Sequence, residues 1–253
     1  MLSWQALAAL GAVAAVAGFV DAIAGGGGLL TVPALLWAGL PPQLALGTNK
    51  LQSCCGTALA AWRYRKARLI DTPGVRWVAA VTFAAAIAGA ATVSRLSSAG
   101  LQKIIPVLLL AMAVLLAVRR DLGTRPGVAR WSPLMFGLVF GSALGFYDGF
   151  FGPGTGTFWT IAGIGLLGFD YPRATAYTKV MNLASNLGAL LIFLKLGQVD
   201  WQVGAVMAAG QMAGARLGSG MVIRNGSRIV RPVFLVVVMA VAVRLAWKAY
   251  RGG

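Results

Sequence analysis

Two aspartates and two lysines stand where an apolar sequence should have none. Asp21 and Asp148 are the only acids inside long hydrophobic runs. A lone carboxylate at membrane depth is strongly unfavourable unless it is paired, protonated or hydrated, so each marks a functional candidate. Glycines follow both: Gly25, Gly26, Gly27 and Gly28 after Asp21, and Gly152, Pro153, Gly154, Thr155 and Gly156 after Asp148. Such runs break a helix and free backbone N–H groups at the start of the next one, where aligned peptide dipoles favour an anion. The structural alternative is that each Asp caps the break or pairs with a lysine, while the glycines only allow close packing.

The second group is Gly47, Thr48, Asn49 and Lys50, matched by Tyr177, Thr178 and Lys179 with Asn182, Ser185 and Asn186 beyond. On a helix the last three share one face. Lys50 and Lys179, flanked by hydrogen-bonding side chains, suit a small oxyanion or a salt bridge to Asp21 and Asp148. Snorkelling to the interface is the plainer reading of a lysine near a helix end. Arg216 is read as a snorkelling residue, with one-sided anion binding as its alternative. Cys54 and Cys55 are adjacent, point in different directions on a helix, and read as packing residues. Most of the Trp residues, among them Trp4, Trp37, Trp62, Trp77, Trp131, Trp201 and Trp247, lie near predicted segment ends and read as an interfacial belt.

What positions these residues is a repeat. GFVDAIAGGGG from Gly18 reappears as GFYDGFFGPGTG from Gly145; after a short length difference, Gly39 matches Gly168, Ala45 matches Ala174, Lys50 matches Lys179 and Asp71 matches Asp200. The chain therefore divides into two homologous membrane repeats, 1–123 and 124–253, joined by a cationic Gly/Pro linker from Arg119 to Arg130. Apolar segments are expected at 2–24, 29–40, 43–62, 75–94 and 101–118, then 131–151, 155–168, 174–195, 201–222 and 229–247. Leu2–Val20 resembles a signal peptide but has no cation before it, and is kept as a membrane helix. The second segment of each half is too short for the ~20 residues that span a bilayer. Each should be a half-helix or a re-entrant piece, sheltered by protein or by a watery cavity.

The fold class is thus all-α: a polytopic membrane protein of eight to ten segments with broken or re-entrant helices. Ten crossings with the N-terminus outside and eight with it inside both satisfy the positive-inside rule. The loop after the third segment carries Arg63, Arg65, Lys66, Arg68 and Arg76, whereas its repeat mate carries only Lys195. That contrast favours inverted repeats.

Composition agrees. The 253 residues are 58% hydrophobic and 11% charged, against about 25% charged in soluble domains; mean hydropathy is +0.78. Without His or Glu, a Ser/His/Asp or Cys/His site, an HExxH zinc helix and a Glu-based di-metal centre are excluded. No catalytic residue, metal or cofactor is expected, and the chain is read as no enzyme. The net charge of +16 sits in short loop clusters, so it is read as topology; nucleic acid is not an expected partner.

The stretch from Gly18 to Lys50, with GFYDGFFGPGTGTF from Gly145 and TKVMNLASN from Thr178, resembles the TauE/SafE family, also called the 4-toluene sulfonate uptake permeases. The resemblance covers essentially the whole chain. It implies a multi-pass transporter of the bacterial inner membrane, with about eight helices and an internal duplication, that carries sulfite, sulfoacetate or other organosulfonates. Alternating access is the expected mechanism. Gly25–Gly28, Asn49, Lys50, Gly154, Thr155, Gly156, Lys179, Asn182 and Asn186 would hold the oxyanion, and Asp21 and Asp148 would take up a coupling proton or hold the lysines. Expected partners are the anion and the lipid bilayer; proton or ion coupling and a homodimer stay open. A passive anion channel and a non-transport assembly subunit are the alternatives.

Overall fold

The structure, a computed structural model, describes residues 2–70, 74–118 and 127–226. The expected segment 229–247 lies outside them, as do Asp71, Arg119, Arg120, Arg125, Arg228, Arg231, Trp247, Lys248 and Arg251. Within the described residues the chain is helical: α1 (Trp4–Ala24), α2 (Gly28–Trp37), α3 (Pro42–Lys66), α4 (Val75–Val93), α5 (Ser98–Val118), α6 (Pro133–Phe150), α7 (Thr155–Leu167), α8 (Tyr171–Lys195) and α9 (Trp201–Asn225). Four of them, α1, α4, α6 and α8, are long and apolar enough to cross a membrane. α3 and α9 are as long as α8, at 25 residues each, but α3 carries Asn49, Lys50, Gln52 and Ser53 along its length. At 10 and 13 residues, α2 and α7 reach about 15 and 20 Å against a hydrocarbon core of ~30 Å.

Local chemistry sets the ends. Ser3, Ser132, Asp170 and Asp200 accept from the backbone N–H three residues on, at the starts of α1, α6, α8 and α9, which satisfies donors that a helix start otherwise leaves free. Pro172 and Pro42 occupy the first turns of α8 and α3, where a missing N–H is harmless. α6 contains one π-helical turn, Gly137–Gly141.

Packing exchanges one helix between the halves. One apolar cluster joins Leu7, Leu10 and Ala14 of α1, Leu35 of α2, Ala45 of α3, and Val203 and Met207 of α9. Its counterpart joins Phe136 of α6, Trp159 and Ala162 of α7, Ala174, Tyr177 and Met181 of α8, and Val78 of α4. Helix α9 thus completes the first half's unit, and α4 completes the second's. Small residues bring the helices together: Gly11, Ala15 and Phe19 of α1 meet Gly210, Gly214 and Gly218 of α9, while Val78, Val81 and Ala86 of α4 meet Gly137, Gly141 and Gly149 of α6. Both pairs run parallel. The mated helices α3 and α8 run antiparallel, since Gly47 lies against Phe193 and Gln198 and Lys50 against Asn186.

Trp4, Trp37, Trp62, Trp77 and Trp201 are exposed on the outside of the bundle, whereas Trp159 is fully buried. Burial of Trp159 is explained by its place in the second cluster, tilted against Phe136 and edge-on to Tyr177.

Candidate functional site

Two hairpins, α1–α2 and α6–α7, meet tip to tip. α1 stops where Gly25 takes a left-handed φ of 71° and donates its N–H to Asp21 O at 2.9 Å. In the other hairpin Gly152 and Gly154 take φ of 99° and 85°, conformations that only glycine adopts freely. Gly25 packs on Gly156 and Gly28 on Pro153; a Cβ on Gly156 would lie 2.5 Å from Gly25 Cα. The Thr157 hydroxyl reaches Gly25 O at 2.8 Å and Ala24 O at 3.2 Å, pinning one tip to the other.

At this junction the lysines pair across the halves. Lys50 Nζ donates to Asp148 Oδ1 at 2.8 Å, to Asp148 O, and to Asn186 Oδ1 at 3.1 Å. Lys179 Nζ donates to Asp21 Oδ2 at 2.8 Å and to Asp21 O. The repeat thus appears twice over, each lysine gripping both the carboxylate and the carbonyl of the aspartate from the opposite half. Both lysines are fully buried, Asp148 is nearly so, and the Asp21 side chain keeps 14% of its surface. Interior pairing of this kind holds charge in a medium that would otherwise expel it.

The pairs line a cavity of about 30 Å³. From the first half its wall takes Asp21, Gly26, Gly27, Gly28, Asn49 and Lys50, with Ser53 and Thr57; from the second, Asp148, Gly152, Gly154, Gly156, Asn182 and Asn186. Gly25, Thr155 and Lys179 stand behind this wall. Gly25 holds the tip contact, the Thr155 hydroxyl donates back to Gly152 O at 2.6 Å, and Lys179 lies beyond Asp21. Arg216 is exposed on α9, away from the cavity. Cys54 and Cys55 are free thiols. Among the described residues no three His, Cys, Asp or Glu come together in a way that could hold a metal ion.

Orientation of the amides follows from their partners. Lysine only donates, so Asn186 must turn Oδ1 to Lys50, leaving its NH₂ as the free end. Asn49 Oδ1 receives the Thr31 hydroxyl at 2.6 Å and Gln52 Nε2 at 2.8 Å, which likewise frees its NH₂. Asn182 Oδ1 has no partner among the described residues. Thr31, Gln52 and Thr157 were not among the residues singled out from the sequence. The repeat held the signal for the first: Thr160, the counterpart of Thr31, pairs with Thr178, the counterpart of Asn49, at 3.1 Å, and both threonines also reach the carbonyl four residues back.

Comparison with known proteins gives a consistent result. The family model described as Sulfite exporter TauE/SafE matches residues 10–245. A Haemophilus influenzae protein named "Probable membrane transporter protein" is 41% identical over 241 residues, 95% of this chain and 94% of its own. Escherichia coli K12 has "Probable membrane transporter protein YfcA", 39% identical over 250 residues, 99% of this chain and 93% of its own. A Sinorhizobium protein, "Probable membrane transporter protein ORF9", is 40% identical over 244 residues, 96% and 94% of the two chains. No solved structure matches.

Proposed function

The chain belongs to the sulfite exporter TauE/SafE family of membrane transporters, and on that premise we propose that it is a secondary transporter of a sulfur-containing oxyanion. The substrate class is sulfite, sulfoacetate or another organosulfonate, carried across the bacterial inner membrane by alternating access. One observation carries this reading: two buried lysines, each held by the other half's aspartate, at the junction of two half-helix tips. The starts of α2 and α7 converge there from opposite halves, so both positive dipole ends favour an anion. The freed NH₂ groups of Asn49 and Asn186 supply neutral donors for oxyanion oxygens. Most of the energy needed to displace the aspartates would come from charge-assisted hydrogen bonds to the lysines.

Gly25 packs on Gly156 and Gly28 on Pro153 where the tips meet, so passage of an anion across this contact requires the hairpins to part. A closed tip contact between mated hairpins is what alternating access needs in one of its states, and it argues against a standing pore. Inverted repeats are supported by the antiparallel run of α3 and α8. The end of the bundle where α3 and α9 finish and α4, α6 and α8 start carries Arg63, Arg65, Lys66, Arg76, Arg130, Arg173 and Arg224; the opposite end of the described residues carries Arg95, Lys103 and Lys195. The cation-rich end is read as cytoplasmic, with the N-terminus outside.

Purified protein in liposomes, preloaded with unlabelled sulfite, tests this. Counterflow should accumulate labelled sulfite transiently, and organosulfonates should compete. Flux that rises linearly with sulfite and gains nothing from preloading would make the protein a channel, and no sulfite- or sulfonate-dependent flux at all would overturn the reading.

A further inference from the structure

We infer that Asp21, and not Asp148, takes up a proton as the anion binds, so that anion and proton cross together; this rests on the anion-transport reading above. Lys50, Lys179, Asp21 and Asp148 bring two positive and two negative charges to the junction. The empty site is therefore neutral. An anion arriving there adds an unbalanced charge to a buried region, which is strongly disfavoured unless a proton comes with it.

The two carboxylates are not equally able to accept that proton. Both oxygens of Asp148 are engaged: Oδ1 by Lys50 at 2.8 Å and Oδ2 by the Ser185 hydroxyl. Of Asp21, Oδ2 faces Lys179 at 2.8 Å, but Oδ1 has only the Gly27 N–H at 3.5 Å, too long for a full hydrogen bond. The Asp21 side chain is 14% exposed and that of Asp148 5%, although both line the cavity.

The difference is written into the repeat. The counterpart of Ser185 is Gly56, where the Gln211 side chain occupies the space. The counterpart of Asn186 is Thr57, whose hydroxyl is spent on Ser53 O at 2.7 Å. Lys50 thus places all three N–H groups on Asp148 and Asn186, while Lys179 has two acceptors, both on Asp21. The Lys179–Asp21 pair is the one built to open.

The charged and titratable groups around Asp21 are few. Lys179 faces it from α8, Lys50 from α3 and Asp148 from α6 across the cavity. On the far side Tyr64 of α3 donates its hydroxyl to Ala22 O at 2.7 Å; α2 and α7 bring no titratable group. On loading, an N–H of Lys179 leaves Oδ2 for an oxygen of the anion. Hydronium on the open side gives up a proton, leaving water behind, and that proton forms the O–H bond at Asp21 Oδ1. Release on the other side reverses both steps.

The test uses the full chain in liposomes with methanesulfonate, which has no group that titrates near neutral pH, and a pH dye trapped inside. An inward methanesulfonate gradient should acidify the lumen. Affinity should fall as pH rises, by at most about tenfold per pH unit, the limit for one linked proton. Asp21→Asn should abolish both the acidification and the pH dependence of affinity. Methanesulfonate uptake by the parent with no proton movement would overturn the inference and leave the transport reading standing. So would retention of the acidification and the pH dependence in Asp21→Asn. A parent that moves neither sulfite nor methanesulfonate at any pH removes the transport reading itself.

Discussion

A lysine whose three N–H groups are all taken cannot bind substrate without giving one up. That is the state of Lys50, and it explains why the residue is tolerated at full burial. Removing it leaves Asp148 buried with only Ser185 as partner. Lys50→Ala should therefore lower stability by about 3–5 kcal/mol, the usual effect of breaking a buried pair from one side. Adding Asp148→Asn should restore part of that loss, because the uncompensated charge is gone. Thermal unfolding in detergent checks this; a midpoint unchanged by Lys50→Ala would mean that the pair is hydrated and weak. The sequence made the four charged residues legible, since each is repeated in register inside an apolar run. It did not make their pairing legible. Repetition relates Lys50 to Lys179, and says nothing about whether either lysine reaches the aspartate of its own half or of the other. The inequality of the two pairs was hidden for a similar reason. Ser185 and Asn186 were visible as polar residues on one face, but their effect depends on Gly56 and Gln211, which come together only when α9 packs on α3.

Between the residues and the whole stand the two half-helices. Glycine runs announced the breaks, and the observed α2 and α7 start within a residue of where those runs end. What the runs could not announce was that the tips touch. Gly25 and Gly156 are glycines because each backbone occupies the place of the other's side chain, and Gly25 also needs its positive φ. Gly156→Ala should thus separate the hairpins, with a loss of about 1–3 kcal/mol from overpacking and a collapse of transport. Gly165→Ala, also on α7 but with open space around it, should be neutral or stabilising by up to about 1 kcal/mol from helix propensity. Unfolding midpoints of the two variants, measured side by side, decide the matter: equal effects would mean that the tip contact does not hold. The ends of α3 and α8 were also misjudged from apolar runs alone. α3 continues through Arg63 to Lys66 and α8 begins three residues early at Tyr171, because polar terminal turns and the Asp170 cap extend a helix past its hydrophobic stretch.

For the molecule as a whole, the exchange of α4 and α9 ties the two halves into units that neither half can complete. Helices α3 and α8, counterparts in the repeat, run in opposite directions, so their cationic ends should face opposite compartments. In a Cys54→Ser/Cys55→Ser background, a cysteine at Lys66 should react with an impermeant thiol reagent only from the cytoplasmic side. One at Lys195 should react only from outside. Labelling of both from the same side would contradict the inverted arrangement. The central claim is that Lys50 and Lys179 hold the transported anion. Its most direct test is labelled sulfite counterflow in liposomes carrying equal amounts of folded parent, Lys50→Ala or Lys179→Ala protein. The account predicts saturable counterflow for the parent and a drop of at least about tenfold for each variant, the loss of one charge-assisted contact worth roughly 1.5–3 kcal/mol. Counterflow at the parental rate and affinity in both variants would contradict it.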